Sequence, residues 1–293
     1  MRETIFDIAE RSIDVSSDAE RIIQLYSEDE IIIKTKEAMT LYDYVSKSCF
    51  DSWSGRNHFI DLEDFACAID LSSIEQLARF GNAESFIILI EFVLNLMYMA
   101  MKDSKLGIHT DENKYGLLKK IIEDDLSRMN HKQCVIDDLV YVVEDKPAVT
   151  LAAESVGQDL AVDIIKYNHY SLKGDLNAKG AILFKMGKRL EASRNALNGM
   201  NSSVEECVFR CLNVLNIRHN NVENEQENKK YKAFVAKMEP EELEKWYDDV
   251  YGLMTLALIE VDNCDRKKRV KDLLKQIEGG NYGQTQTALS QQG

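Results

Sequence analysis

Proline is nearly absent, with two residues in 293, and glycine is modest at 14. That scarcity excludes a turn-rich β-sandwich and favours long helices. Positive charge is also short. The formal net charge is −14, a balance that repels nucleic acid and anionic membranes when it is spread evenly. The six cysteines, Cys49, Cys67, Cys134, Cys207, Cys211 and Cys264, form no C-x-x-C pair. Scattered thiols of this kind suit a reducing cytoplasm, with Cys207 and Cys211 read as buried free thiols and no zinc site expected. The most apolar run, FIILIEFVLNLMYMAM at 86–101, contains Glu91 and Asn95. It falls short of the about 20 apolar residues that a bilayer span needs and reads as a central buried helix. The opening MRETIFDIAERSIDVSSDAER is too charged for a secretory signal. No P-loop, G-x-G-x-x-G after a strand, G-x-S-x-G or H-E-x-x-H occurs, which weighs against the enzyme classes those motifs serve.

What is present is helical punctuation. Ser17-Asp-Ala-Glu20, Ser72-Ser-Ile-Glu75 and Ser203-Val-Glu-Glu206 fit the capping box, and Pro240 fits a first-turn position. A helix is expected from about Pro147 to Tyr170, with Val149, Ala152, Val156, Leu160, Ile164 and Tyr167 on one face. LKGDLNAK at 172–179 reads as a turn, with Gly174 ending one helix and Asp175 capping the next. Ile182, Leu183, Met186, Leu190 and Leu197 mark the second helix, and a third begins near Ser203. The fourth, after Pro240, shows Leu243, Trp246, Tyr247, Val250, Met254, Ala257 and Val261. Four helices of this length joined by short turns make a four-helix bundle.

The expected fold class is therefore all-α. An acidic, mainly helical N-terminal domain at 1–146 is followed by a helical bundle at 147–278 and a disordered Gly/Gln-rich tail at 279–293. EIIIKTK at 30–36 reads as a short strand, and DSWSGRNHFIDLED at 51–64 as a loop leading to a helix capped at Asp61. That cap accounts for the carboxylates near His58 without a metal.

The charge is uneven. Residues 1–146 carry a balance of −13 and residues 147–293 only −1. Two basic stretches, 173–194 and 265–275, each sum to +4. Between them lies LNIRHNN at 215–221. On a helical wheel from Val204, the stripe of Cys207, Val208, Cys211, Leu212 and Leu215 continues through Arg218 and His219. An arginine on a buried stripe needs a partner. One solution is an internal carboxylate or helix C-terminal carbonyls. The other is a groove or dimer interface where Arg218 forks to a phosphate and His219 moves a proton.

YNHYSLKGDLNAKGAILFKMGKRLE at 167–191 and CLNVLNIRHNN at 211–221 resemble the C-terminal helical domain of bacterial abortive-infection (phage-defence) proteins, which is HEPN-like. The resemblance spans roughly 148–262. It implies a cytoplasmic phage-defence effector that binds RNA through a homodimer of the C-terminal bundle. Metal-independent cleavage by 2′-hydroxyl attack, with no cofactor, comes with that family. Arg218 and His219 are then the catalytic pair. Asn220, Asn221, His169, Lys173 and Asp175 are the RNA-binding or supporting residues. The family usually spaces its arginine and histidine by several residues, whereas here they are adjacent. The alternative is a non-catalytic interaction or adaptor subunit, or an antitoxin-like partner, with the acidic first half as its docking surface for another protein. Neither reading involves a membrane.

Overall fold

The computed structural model describes residues 13–34, 37–56, 58–102, 108–110, 112–215, 217 and 238–278. Helix dominates, and the chain is all-α in class, with two small antiparallel β elements added. It divides into two compact units. The first is Met1–Asp145 together with Asn168–Tyr170; the second is Lys146–Tyr167 together with Ser171–Gly293. The expected tail at 279–293 lies outside the described residues.

The first unit is organised by one helix. In chain order its elements are α1 (Val15–Ile23, extended by a π-helical turn, Gln24–Glu28), β1 (Ile32–Lys34), β2 (Glu37–Met39) and α2 (Leu41–Ser48). Next come α3 (Leu62–Ala68), α4 (Leu71–Arg79), α5 (Ala83–Lys102), β3 (Ile108–Thr110), α6 (Glu112–Arg128), β4 (His131–Ile136) and β5 (Leu139–Glu144). By length and composition α5 could cross a membrane. Instead it is the core of this unit, buried along most of its length and packed by α1, α2, α4 and β5. The expected strand at 30–36 is β1, the centre of a sheet ordered β2-β1-β3. Asp61 caps α3 by accepting from the Asp64 N–H at 2.8 Å, as its sequence position implied.

The β4–β5 hairpin has no counterpart in the sequence reading. Its two-residue turn is Asp137-Asp138, with φ of 50° and 65°. Positive φ at both positions is what a type I′ hairpin turn requires, and aspartate tolerates it better than most residues. Side chains from elsewhere hold the turn. Tyr98 donates to the Asp138 carboxylate at 3.1 Å, Lys102 pairs with it at 2.7 Å, and the Trp53 indole donates to its carbonyl at 3.2 Å. The Lys102 ammonium holds the Asp138 carboxyl below its usual range.

Among the described residues the second unit has five helices: α7 (Pro147–Glu154), α8 (Gln158–Lys166), α9 (Leu176–Glu191), α10 (Arg194–Val214) and α11 (Pro240–Glu278). α11 is the hub and packs α7, α9 and α10. The single helix expected from Pro147 to Tyr170 is two helices. Ser155 turns its hydroxyl onto the Ala152 carbonyl at 2.7 Å, and Gly157 is extended at φ −70°, ψ 158°, so the chain breaks there. Gly174 adopts φ 77°, and Asp175 caps α9 by accepting from the Ala178 N–H at 2.9 Å; both match the sequence expectation. Between α9 and α10, Gly187 lies so close to Leu212 that a Cβ there would meet its Cδ1 at 2.8 Å. The core pairs Tyr167 with Tyr251, stacked at 3.9 Å, and the Tyr251 hydroxyl donates to the Ile164 carbonyl.

Candidate functional site

The motif Arg218-His219-Asn220-Asn221 lies outside the described residues. What leads to it is described. α10 buries Glu205, Val208, Phe209 and Leu212, and beyond its end Leu215 and Ile217 are buried as well. Cys207 is exposed and Cys211 half-buried, so the buried stripe is centred on Val208 and Leu212 and does not pass through Cys207. Burial, with Cys207 beside it, pushes the Cys211 thiol up to about 11. The helix also ends at Val214, so the helical wheel describes the chain only as far as that residue.

α10 is kinked at Asn201, at φ −151° and ψ 82°, and the Asn201 side chain accepts from the Val204 N–H at 3.2 Å. The helix therefore restarts from an asparagine cap two residues before the expected Ser203. Glu205, which the capping-box reading left unassigned, is turned inward and pairs with Arg194, whose guanidinium lies 4.3 Å over the Phe209 ring.

The basic stretches are partly neutralised within the bundle. Lys179 is buried and makes two ion pairs with α11, to Glu244 at 2.7 Å and Asp248 at 2.8 Å, and it also lies over the Tyr167 ring. Burial works to raise the Glu244 carboxyl. The Lys179 ammonium and the Gly174 N–H outweigh that effect and hold it below its usual range. Lys185 pairs with Asp163 at 2.6 Å, and Lys188 lies over Phe184. Lys173 and Asp175 are exposed. Towards the end of α11, Lys267, Arg269 and Lys271 are exposed, while Arg266 and Lys268 pair with Asp262 and Asp265 one turn back.

His169 has a different setting. Within the first unit it is 4% exposed, and its Nε2 meets the Glu91 carboxylate at 2.7 Å. The same carboxylate accepts from the Val142 N–H at 2.6 Å and the Tyr170 hydroxyl at 2.8 Å. Burial first, and then the Glu91 charge, push the Tyr170 phenol well above its usual range, so it stays a donor. The Tyr141 ring meets His169 edge-on at 5.2 Å. One turn along α5, Asn95 donates to the Val140 carbonyl at 2.8 Å and accepts from the Val140 N–H at 2.9 Å.

Glu91 and Asn95 therefore satisfy the outer edge of β5, alternate residues of which point their backbone groups at α5. A cavity of about 100 Å³ beside them is lined by Glu91, Asn95, Tyr141 and Tyr170. That volume holds a few waters, well below the roughly 300 Å³ at which small-molecule sites begin. The arrangement fixes His169 by a hydrogen bond to the Glu91 carboxylate. The sequence signal for it was present: two polar residues one turn apart in an otherwise apolar helix must each find a partner.

Among the described residues no group of three or more His, Cys, Asp or Glu side chains is placed to hold a metal ion. Compared with known proteins, the chain matches no family model, no curated protein and no solved structure.

Proposed function

We propose that the chain is a cytoplasmic phage-defence effector of the abortive-infection type, whose C-terminal bundle engages RNA at Arg218-His219-Asn220-Asn221. One observation supports this reading above the others: Leu215 and Ile217 are buried immediately before the motif. A polar tetrad that directly follows two core residues is tethered to a packed bundle, and tethering limits the entropy lost when a ligand is bound. The second support is the resemblance of 148–262 itself, carried on a bundle built on three long helices.

In this proposal Arg218 forks to a phosphate of the RNA and His219 takes the proton from the neighbouring 2′-hydroxyl. The O2′–P bond forms, the P–O5′ bond breaks, the departing O5′ takes a proton from water, and the products are a 2′,3′-cyclic phosphate and a 5′-hydroxyl. A second copy of the chain brings a second tetrad to the same groove. His169 acts on neither step; held by Glu91, it serves the framework.

Bacteria carrying the full chain are expected to survive phage challenge. Arg218→Ala and His219→Ala should each abolish protection and leave the unfolding midpoint of the purified protein within about 2 °C of wild type. Full protection by both variants would end the proposal. One feature favours a second reading, a helical adaptor. Val270, Leu273, Leu274 and Ile277 form an exposed stripe on α11 at i, i+3, i+4 and i+7, the spacing of a face that packs on another helix.

A further inference from the structure

The first unit contains a cleft of about 770 Å³ that neither reading uses. Leu94 and Met97 of α5, Ile122 and Leu126 of α6, and Val135 and Val140 of the β4–β5 hairpin give it apolar walls. Native interiors seldom leave voids much larger than a water molecule, and a cleft of this volume falls in the range of small-molecule sites, roughly 300–1,000 Å³. Its mouth is open, with Met101 64% and Val135 54% exposed.

Two observations narrow the occupant. The first is Tyr115, whose hydroxyl is buried in the cleft wall and has no hydrogen-bond partner among the described residues. A buried phenol without a partner costs free energy that a ligand acceptor recovers. Burial raises its pKa, so it meets a ligand as a proton donor. The second is the charge at the rim. Lys132 pairs with Asp145 at 2.8 Å and Lys119 with Glu123 at 3.7 Å, so both cations are matched by anions. A charged ligand gains no net attraction there.

We infer that this cleft binds a neutral, largely apolar small molecule carrying one hydrogen-bond acceptor, such as a carbonyl, which receives the Tyr115 hydroxyl. The site lies wholly within the first unit, and it stands or falls independently of the RNA reading.

The test uses the full chain and Prodan, a neutral naphthyl ketone whose emission shifts to the blue on leaving water. Wild type should bind one Prodan per chain, saturably, with a blue shift. Val135→Trp, which fills the mouth at an exposed position, should weaken binding more than tenfold. Tyr115→Phe should weaken it roughly five- to tenfold, the loss of one hydrogen bond. Without ligand, Tyr115→Phe should melt at or above the wild-type temperature, because it deletes an unpartnered group. Absence of saturable binding overturns the inference, as does wild-type affinity in either variant or a lower midpoint for ligand-free Tyr115→Phe. Light scattering should show the same molar mass with and without Prodan. A dimer that dissociates on Prodan binding would assign the cleft to a second copy of the chain and also overturn it.

Discussion

Asp125 shows most sharply how burial sets chemistry at the scale of one residue. It is 1% exposed on α6, and its Oδ2 has no partner among the described residues. Burial first, then the charge of Asp18, push its carboxyl up to about 7 despite Arg128 nearby. In the unfolded chain an aspartate titrates near 3.9. Between those values the folded state binds more protons than the unfolded one, so stability falls as pH rises. The contribution is fully present below about pH 4 and is lost on passing pH 7. Asp125→Asn should therefore raise the unfolding midpoint at pH 8 by several degrees, about 1–2 kcal/mol, and change little at pH 4. Thermal melts at the two pH values check this; an equal effect at both would contradict it. Glu91 is the opposite case, a buried carboxylate with all its neighbours supplied: three donors converge on it, and its removal would orphan each of them. The sequence showed Glu91 and Asn95 as interruptions of an apolar run. Their partners, Val140, Val142, His169 and Tyr170, lie 45 or more residues away, and no local pattern carries that pairing.

At the scale of elements, the apolar periodicity marked where helices lie, and the capping boxes misplaced where they begin. Ser17, Ser72 and Ser203 all sit inside helices that start earlier. Asp14 caps α1 by accepting from the Ser17 N–H at 3.1 Å, and α4 follows Asp70 in a left-handed conformation at φ 54°. The physical reason is general: serine and glutamate are also welcome in a first turn, so S-x-x-E does not by itself tell a cap from the turn after it. Asp61 and Asp175 were legible because each sits in a polar turn directly before an apolar face. The β4–β5 hairpin was missed because its turn is Asp-Asp, where Asn-Gly or Asp-Gly is the stronger signal. The Asn201 cap yields a prediction at this scale. Asn201→Ala removes the bond to Val204 and the 3.2 Å contact with Glu260. A loss of about 1 kcal/mol is expected in urea unfolding, whereas Ser203→Ala should cost under about 0.5 kcal/mol. The reverse order would restore Ser203 as the cap.

For the whole molecule, the division of charge matters more than its total. The balance of −13 in residues 1–146 against −1 in 147–293 leaves the second unit free to approach an anion that the first would repel. Ion pairs then thin out the basic surface that sequence counting put there, since Lys179, Lys185 and Arg194 are each engaged. The proposed RNA binding accordingly rests on Arg218 and its neighbours more than on a broad basic face, and it predicts a modest salt dependence, as expected for few phosphate contacts. The most direct measurement is the binding and cleavage of single-stranded RNA by the purified full chain in EDTA. The proposal predicts a retarded complex that weakens at least tenfold in Arg218→Ala, and 2′,3′-cyclic phosphate ends that disappear in His219→Ala. RNA left unbound by the wild-type chain, or bound equally by Arg218→Ala, would contradict it.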